Sequence, residues 1–128
     1  MAKYAAQTSV PVDRTKAEIE KELSRFGATG FFSGWQNGVT KIGFVYEGSV
    51  YQFELSQSDN PQEDRANWRA LLLAIKAKIV WVSTGKGTFA SEFMAQLLLP
   101  NGQTVERYLL PQIEQAKDAG NLPKLLPM

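Results

Sequence analysis

Apolar and polar positions recur along this chain with two periods. Ile19, Leu23 and Phe26 stand at i, i+4 and i+7, one face of a helix, and Gly27 follows as a stop. Thr15 with Glu18 three residues on has the form of a capping box, so the spacing predicts a helix over residues 16–26. Ahead of it, Tyr4 to Val10 reads as a short strand that Pro11 limits.

The period then changes to two. Asn37-Gly38 is a strong two-residue hairpin signal, and Glu47-Gly48 is a weaker one. Two such turns pair Gln36 with Val39 and Tyr46 with Ser49. The register then sets Phe31 opposite Phe44, Phe44 opposite Tyr51 and Ile42 opposite Phe53. Phe31, Trp35, Ile42, Phe44, Tyr46, Tyr51, Phe53 and Leu55 fall on one face. Phe32, Val39, Lys41, Gly43, Val45, Val50, Gln52 and Glu54 fall on the other. A slip of one residue in either turn scrambles both sets.

Helical spacing returns at residue 61. Asn60 suits an N-cap, Pro61 the first helical position, and Glu63 the third. Trp68, Leu71, Leu72, Ile75, Ile79 and Val82 form an apolar stripe up to the stop at Gly85 and Gly87. A third helix begins after Thr88 and carries Phe89, Phe93 and Met94; Leu97 to Leu99 either continue it or run extended. Thr104 caps a fourth, in which Pro111 predicts a kink or restart and Gly120 the close. The pattern predicts one α+β domain over residues 1–128, a short antiparallel β-meander covered by about four helices.

Composition narrows the chemistry. The 128-residue chain has 44% hydrophobic and 21% charged residues, which is ordinary globular composition. With no cysteine and no histidine, it has no disulfide, thiolate nucleophile, thiolate zinc site or imidazole base. Met1 to Val10 lack the pattern of a signal peptide, and Lys76 and Lys78 interrupt the longest apolar run. A cytoplasmic protein without a membrane span is the expectation. The formal net charge of +1 leaves only a local basic patch to attract nucleic acid.

Arg65, Arg69 and Lys76 lie within about 40° of one another on the long helix and form a candidate phosphate strip. The plainer reading is a solvated flank whose aliphatic stems cover the apolar stripe. Ser83 to Thr88 resembles a phosphate loop but lacks its full pattern. Val80 stands where the first glycine belongs, and Gly87 follows Lys86 in place of Ser or Thr. Lys86 and Thr88 remain as an anion-binding candidate at a helix start, against a simple glycine turn. The aromatic sheet face either stacks bases or forms the core under the helices. Trp81, opposite the apolar stripe, is either a partner anchor or a contact to a later helix. Asp59, Glu63 and Asp64 cluster at a helix start, where the macrodipole favours them, and no local spacing marks a metal site.

The chain resembles a group of small bacteriophage and prophage proteins of unknown function. The resemblance runs through Thr8-Ser9-Val10-Pro11-Val12, Thr15 to Glu20, Gly27-Ala28, Trp68-Arg69-Ala70-Leu71 and Lys76-Ala77-Lys78. It continues through Leu99 to Val105 and Leu110-Pro111-Gln112-Ile113 to Leu125-Leu126-Pro127. It implies a phage accessory protein in a bacterial cytoplasm and carries over no active site. The expected function is therefore non-enzymatic binding of a nucleotide or nucleic acid, in DNA metabolism or counter-defence, without a cofactor. Lys41, Arg65, Arg69, Lys76, Lys86, Thr88 and Arg107 are the candidate ligand contacts, and Trp81 and Tyr108 the aromatic ones. The rivals are an inhibitor of a host defence complex, a carboxylate- and metal-dependent enzyme, and a structural oligomer. A two-fold homo-oligomer suits any of them, and a free edge of the short sheet gives one route to it.

Overall fold

The structure is a computed structural model and describes residues 7–120. Helix α1 spans Val12–Phe26, strands β1, β2 and β3 span Gly30–Gln36, Val39–Tyr46 and Ser49–Ser56, and α2 spans Pro61–Ser83. A short α3, Phe89–Glu92, leads through a 3-10 turn at Met94–Gln96 to α4, Val105–Asp118. The strands form one antiparallel sheet in the order β1-β2-β3. This is the α+β meander that the pattern predicts.

Both hairpins take the expected register: Gln36 pairs with Val39, Tyr46 with Ser49, Phe31 with Phe44, and Phe44 with Tyr51. Each turn needs two residues in the left-handed region. Asn37 and Gly38 supply φ of 54° and 77°, and Glu47 and Gly48 supply 47° and 81°. Alternation then separates the two faces. Ile42, Phe44 and Tyr51 are buried on the inner face, against Ile19 and Leu23 of α1 and Trp68, Leu72 and Ile75 of α2. Phe89 and Phe93 complete this core. Phe93 meets Phe44 edge-on at 5.6 Å, and Phe89 stacks on Tyr46 at 3.8 Å between centroids. The aromatic face is thus mainly core, with one departure. Trp35 lies on it beside the hairpin tip and is 73% exposed.

Asn60 caps α2 through Oδ1, which accepts from the backbone N–H of Gln62 (3.0 Å) and Glu63 (3.4 Å). The start of α1 corrects the sequence reading. The helix opens at Val12 after Pro11, whose φ of −60° and extended ψ suit a helix entry and whose carbonyl accepts from Arg14 and Thr15. Thr15 is therefore inside the helix, fully buried, with an Oγ1 that has no partner, and Glu18 turns to α2. No capping box forms there. Residues 7–10 form no strand, and the rest of the expected Tyr4–Val10 strand lies outside the described residues.

After α3 the chain runs extended. The Leu98 N–H donates to the Val50 carbonyl (2.8 Å), and Leu97 bridges Tyr51, so this segment lies along the outer edge of β3. Helix α4 continues through Pro111 without the expected restart. Proline removes one N–H and leaves the rest of the ladder available, and the Gln112 side chain adds a bond to the Tyr108 carbonyl (3.0 Å).

Candidate functional site

The outer face of the sheet is built by the residues that alternate with the core set. Phe32, Gly34, Gln36, Val39, Lys41, Gly43, Val45, Val50, Gln52 and Glu54 share it through the register of the three strands. Phe32 lies across Gly43: a Cβ added there would sit 1.9 Å from Phe32 Cζ. A side chain at position 43 would displace the ring, so glycine lets the aromatic lie flat on the backbone. Gly43 and its β3 partner Gln52 are buried as a result, while Phe32 itself stays 43% exposed.

Two cations stand beside this ring. Lys41 pairs with Glu54 across β2 and β3, and its side chain is exposed. Arg107, in the first turns of α4, reaches over β3. Its Nε donates to Glu54 Oε1 (3.1 Å) and Oε2 (3.2 Å), and its Nη2 donates to Oε1 as well. The Arg107 guanidinium is held above its usual pKa, first by the hydrogen bond to Glu54 and then by the charge of that carboxylate. Thr104 sets the start of α4: its Oγ1 accepts from the Arg107 backbone N–H (3.4 Å). The capping residue thereby places the arginine.

Three shallow concavities lie side by side on this surface. One of about 270 Å³ runs along Phe32, Trp35, Lys41 and Gln52. A second, about 320 Å³, lies between Lys41, Glu54, Gln103 and Arg107. A third, about 490 Å³, continues past Glu54 and Arg107 to Leu110 and Pro111. Gln36 and Lys41 line both the first and the second, and Val39, Glu54 and Arg107 both the second and the third, so the three lie in a row as one shallow trough with a cation at each boundary.

The remaining candidate residues fall elsewhere. Arg69 Nη1 bonds Glu18 Oε1 at 2.8 Å across α1 and α2. The hydrogen bond to Arg69 holds the Glu18 carboxyl below its usual pKa, and the charges of Arg69, Lys76 and Arg14 add to the effect. Arg65 Nη2 donates to Gln62 Oε1 (2.7 Å). The supposed phosphate strip therefore has a carboxylate of α1 set into it, and Arg69 serves the helix pair. Thr88 acts as a cap. Its Oγ1 accepts from the Ser91 N–H (3.0 Å), and its own N–H donates to Ser91 Oγ (3.2 Å). These bonds engage two backbone N–H groups at the helix start, those of Thr88 and Ser91, while Lys86 is exposed beside them. Trp81 is 50% exposed, with its indole against Gly87. Tyr108 is exposed on α4.

The structure thus brings together Lys41 and Arg107, which are far apart in sequence, and adds Phe32, Gln52 and Glu54. Alternation alone places Phe32, Lys41, Gln52 and Glu54 on one face. Nothing local in the sequence showed that α4 returns over it. Among the described residues, no group of three or more Asp or Glu side chains could hold a metal ion, and no helix is long and apolar enough to cross a membrane. Comparison with known protein families, curated proteins and solved structures finds no match.

Proposed function

We propose that this chain is a non-enzymatic binding protein whose outer sheet face takes a single-stranded nucleic acid or a nucleotide. The observation that carries the reading is the trough in which Phe32 lies over the backbone of Gly43 and is open to solvent, with Lys41 and Arg107 along it. An open aromatic ring offers a stacking surface for any base, and flanking cations meet the phosphates. Glu54 orients Arg107, and the guanidinium keeps further donors for an incoming phosphate. Gln36, Gln52 and Gln103 line the same trough and supply amide donors and acceptors for base edges. The phage setting rests on the sequence resemblance alone.

Fluorescence anisotropy with labelled single-stranded oligonucleotides tests this. Binding is expected to weaken with salt at a log–log slope steeper than about −1, because more than one phosphate is neutralised. Salt-insensitive binding, or none, would count against it.

A second reading has its own observation. Val80 is 60% exposed next to half-exposed Trp81, and Val80 with Phe26 and Ile79 lines a groove of about 460 Å³ between α1 and α2. Such a surface suits a protein partner, the inhibitor reading. It predicts complexes that survive high salt.

A further inference from the structure

The two edges of the sheet differ. The outer edge of β3 is met by the Leu97–Leu98 segment. Among the described residues, no strand pairs with the outer edge of β1. The two-residue turn fixes which backbone groups point there. Gln36 and Val39 exchange both hydrogen bonds, so the N–H and C=O of Gln36, Gly34 and Phe32 face β2. Those of Phe31, Ser33 and Trp35 face outward.

Edge strands usually carry a guard against pairing, such as a lysine, a proline or a covering loop. Strand β1 reads Gly-Phe-Phe-Ser-Gly-Trp-Gln, with no charge and no proline. It also presents Trp35, the most exposed large apolar side chain described, at 73%.

We propose that β1 is a homodimer interface, in which two copies pair antiparallel about a two-fold axis through Ser33. This register uses every outward group: two bonds form at the Ser33 pair and two at each flanking pair of Phe31 with Trp35. An axis at Phe32 or Gly34 leaves Trp35 or Phe31 without a strand partner of the outward set. The side chains agree with the same register. On the inner face, Trp35 of one copy lies beside Phe31 of the other, which packs at the margin of its own core. On the outer face, Phe32 lies opposite the other copy's Gly34, where nothing stands within 4 Å of an added Cβ. A neutral strand can meet its own copy without like-charge repulsion. The dimer joins the two sheets into one, with both outer faces on the same side. The interface does not depend on the nucleic-acid reading, and the measurements below involve no nucleic acid.

Sedimentation equilibrium over a wide protein concentration range gives the first test, with a dimer expected. Trp35→Lys changes an exposed side chain and adds the missing guard charge. It is expected to raise the dimer dissociation constant by about tenfold or more. Ser33→Pro removes an outward N–H and leaves the bonds to β2 alone, and is expected to act in the same direction. Cysteine variants test the register, because the chain has no cysteine of its own. Paired residues at the axis lie about 5.5 Å apart between Cα atoms, within disulfide range, so Ser33→Cys is expected to cross-link under mild oxidation. Gln36→Cys lies about 20 Å from its counterpart in this register and is expected not to. A chain that stays monomeric up to millimolar concentration overturns the proposal. So does a dimer unaffected by Trp35→Lys and Ser33→Pro, or cross-linking no better at position 33 than at 36.

Discussion

The two faces of one three-stranded sheet do different work, although the same strands supply both. On the inner face, Ile42 and Phe44 are fully buried, and Phe44 contacts Tyr51, Phe53, Phe89 and Phe93 ring to ring. On the outer face, one residue along each strand, stand Phe32, Lys41, Gln52 and Glu54, with Arg107 arriving from α4. Phe44 and Tyr51 are buried among other rings and the aliphatic side chains of α1 and α2, and this burial drives folding. The outer aromatic has a backbone beneath it and water above. The lesson is that the period of two assigns stability and recognition to alternate residues, so substitutions at neighbouring positions should separate the two properties.

The largest effect that would sharpen this contrast lies in the core that covers the inner face. Phe93→Ala removes a fully buried ring and is expected to cost about 3–5 kcal/mol in a denaturant melt. The counterpart on the outer face is the double variant Lys41→Ala with Arg107→Ala. It is expected to weaken oligonucleotide binding about tenfold or more through lost charge-assisted bonds, while the denaturant midpoint stays close to that of the parent, because both side chains are exposed. If that variant unfolds as readily as Phe93→Ala, the division between the faces fails.

Gly43→Ala links the faces. The new Cβ must push the Phe32 ring off the sheet. Because that ring is part exposed and can swing outward, the stability cost is expected to be about 1 kcal/mol, with a clear loss of binding seen by anisotropy. The smallest expected effect lies away from both faces, at Glu18. Its carboxyl pKa is depressed when folded, so the Arg69 pair contributes stability above the unfolded carboxylate pKa and loses it as pH falls through the folded value. The pair is partly exposed, so Glu18→Gln should cost less than about 1 kcal/mol at neutral pH. The variant and the parent should converge in acid melts, with nucleic-acid binding unchanged.

Much of this arrangement is legible in the sequence because it follows from local chemistry. Asn-Gly and Glu-Gly turns set the register, and the register sets both faces. Asn60 with Pro61 marks the start of α2, and Thr88 and Thr104 mark two later starts. The errors arise where local signals compete. Thr15 and Glu18 imitate a capping box, but Pro11 can open the helix a turn earlier and does. Of the kink or restart that Pro111 predicts, the restart does not occur, because one lost ladder N–H leaves the flanking bonds in place and α4 runs on. Trp35 follows the aromatic pattern but stands beyond the helices, a fact of element length that alternation does not carry.

The candidate site was legible in part for a related reason. Lys41, Phe32, Gln52 and Glu54 are brought together by register, whereas Arg107 joins them only through the return of α4 over β3. Arg65, Arg69 and Lys76 share α2, as helical spacing predicts. Glu18, from a different helix, decides what Arg69 does there.

The most direct test of the outer-face account is an NMR titration of the isotope-labelled protein with a short single-stranded oligonucleotide, following backbone amide and side-chain shifts residue by residue. The account predicts saturable shifts centred on Phe32, Lys41, Gln52 and Arg107, with the α1–α2 groove and the Lys86 turn unmoved. Shifts centred on Lys86, or on Val80 and Trp81, would contradict it, as would a spectrum that does not change.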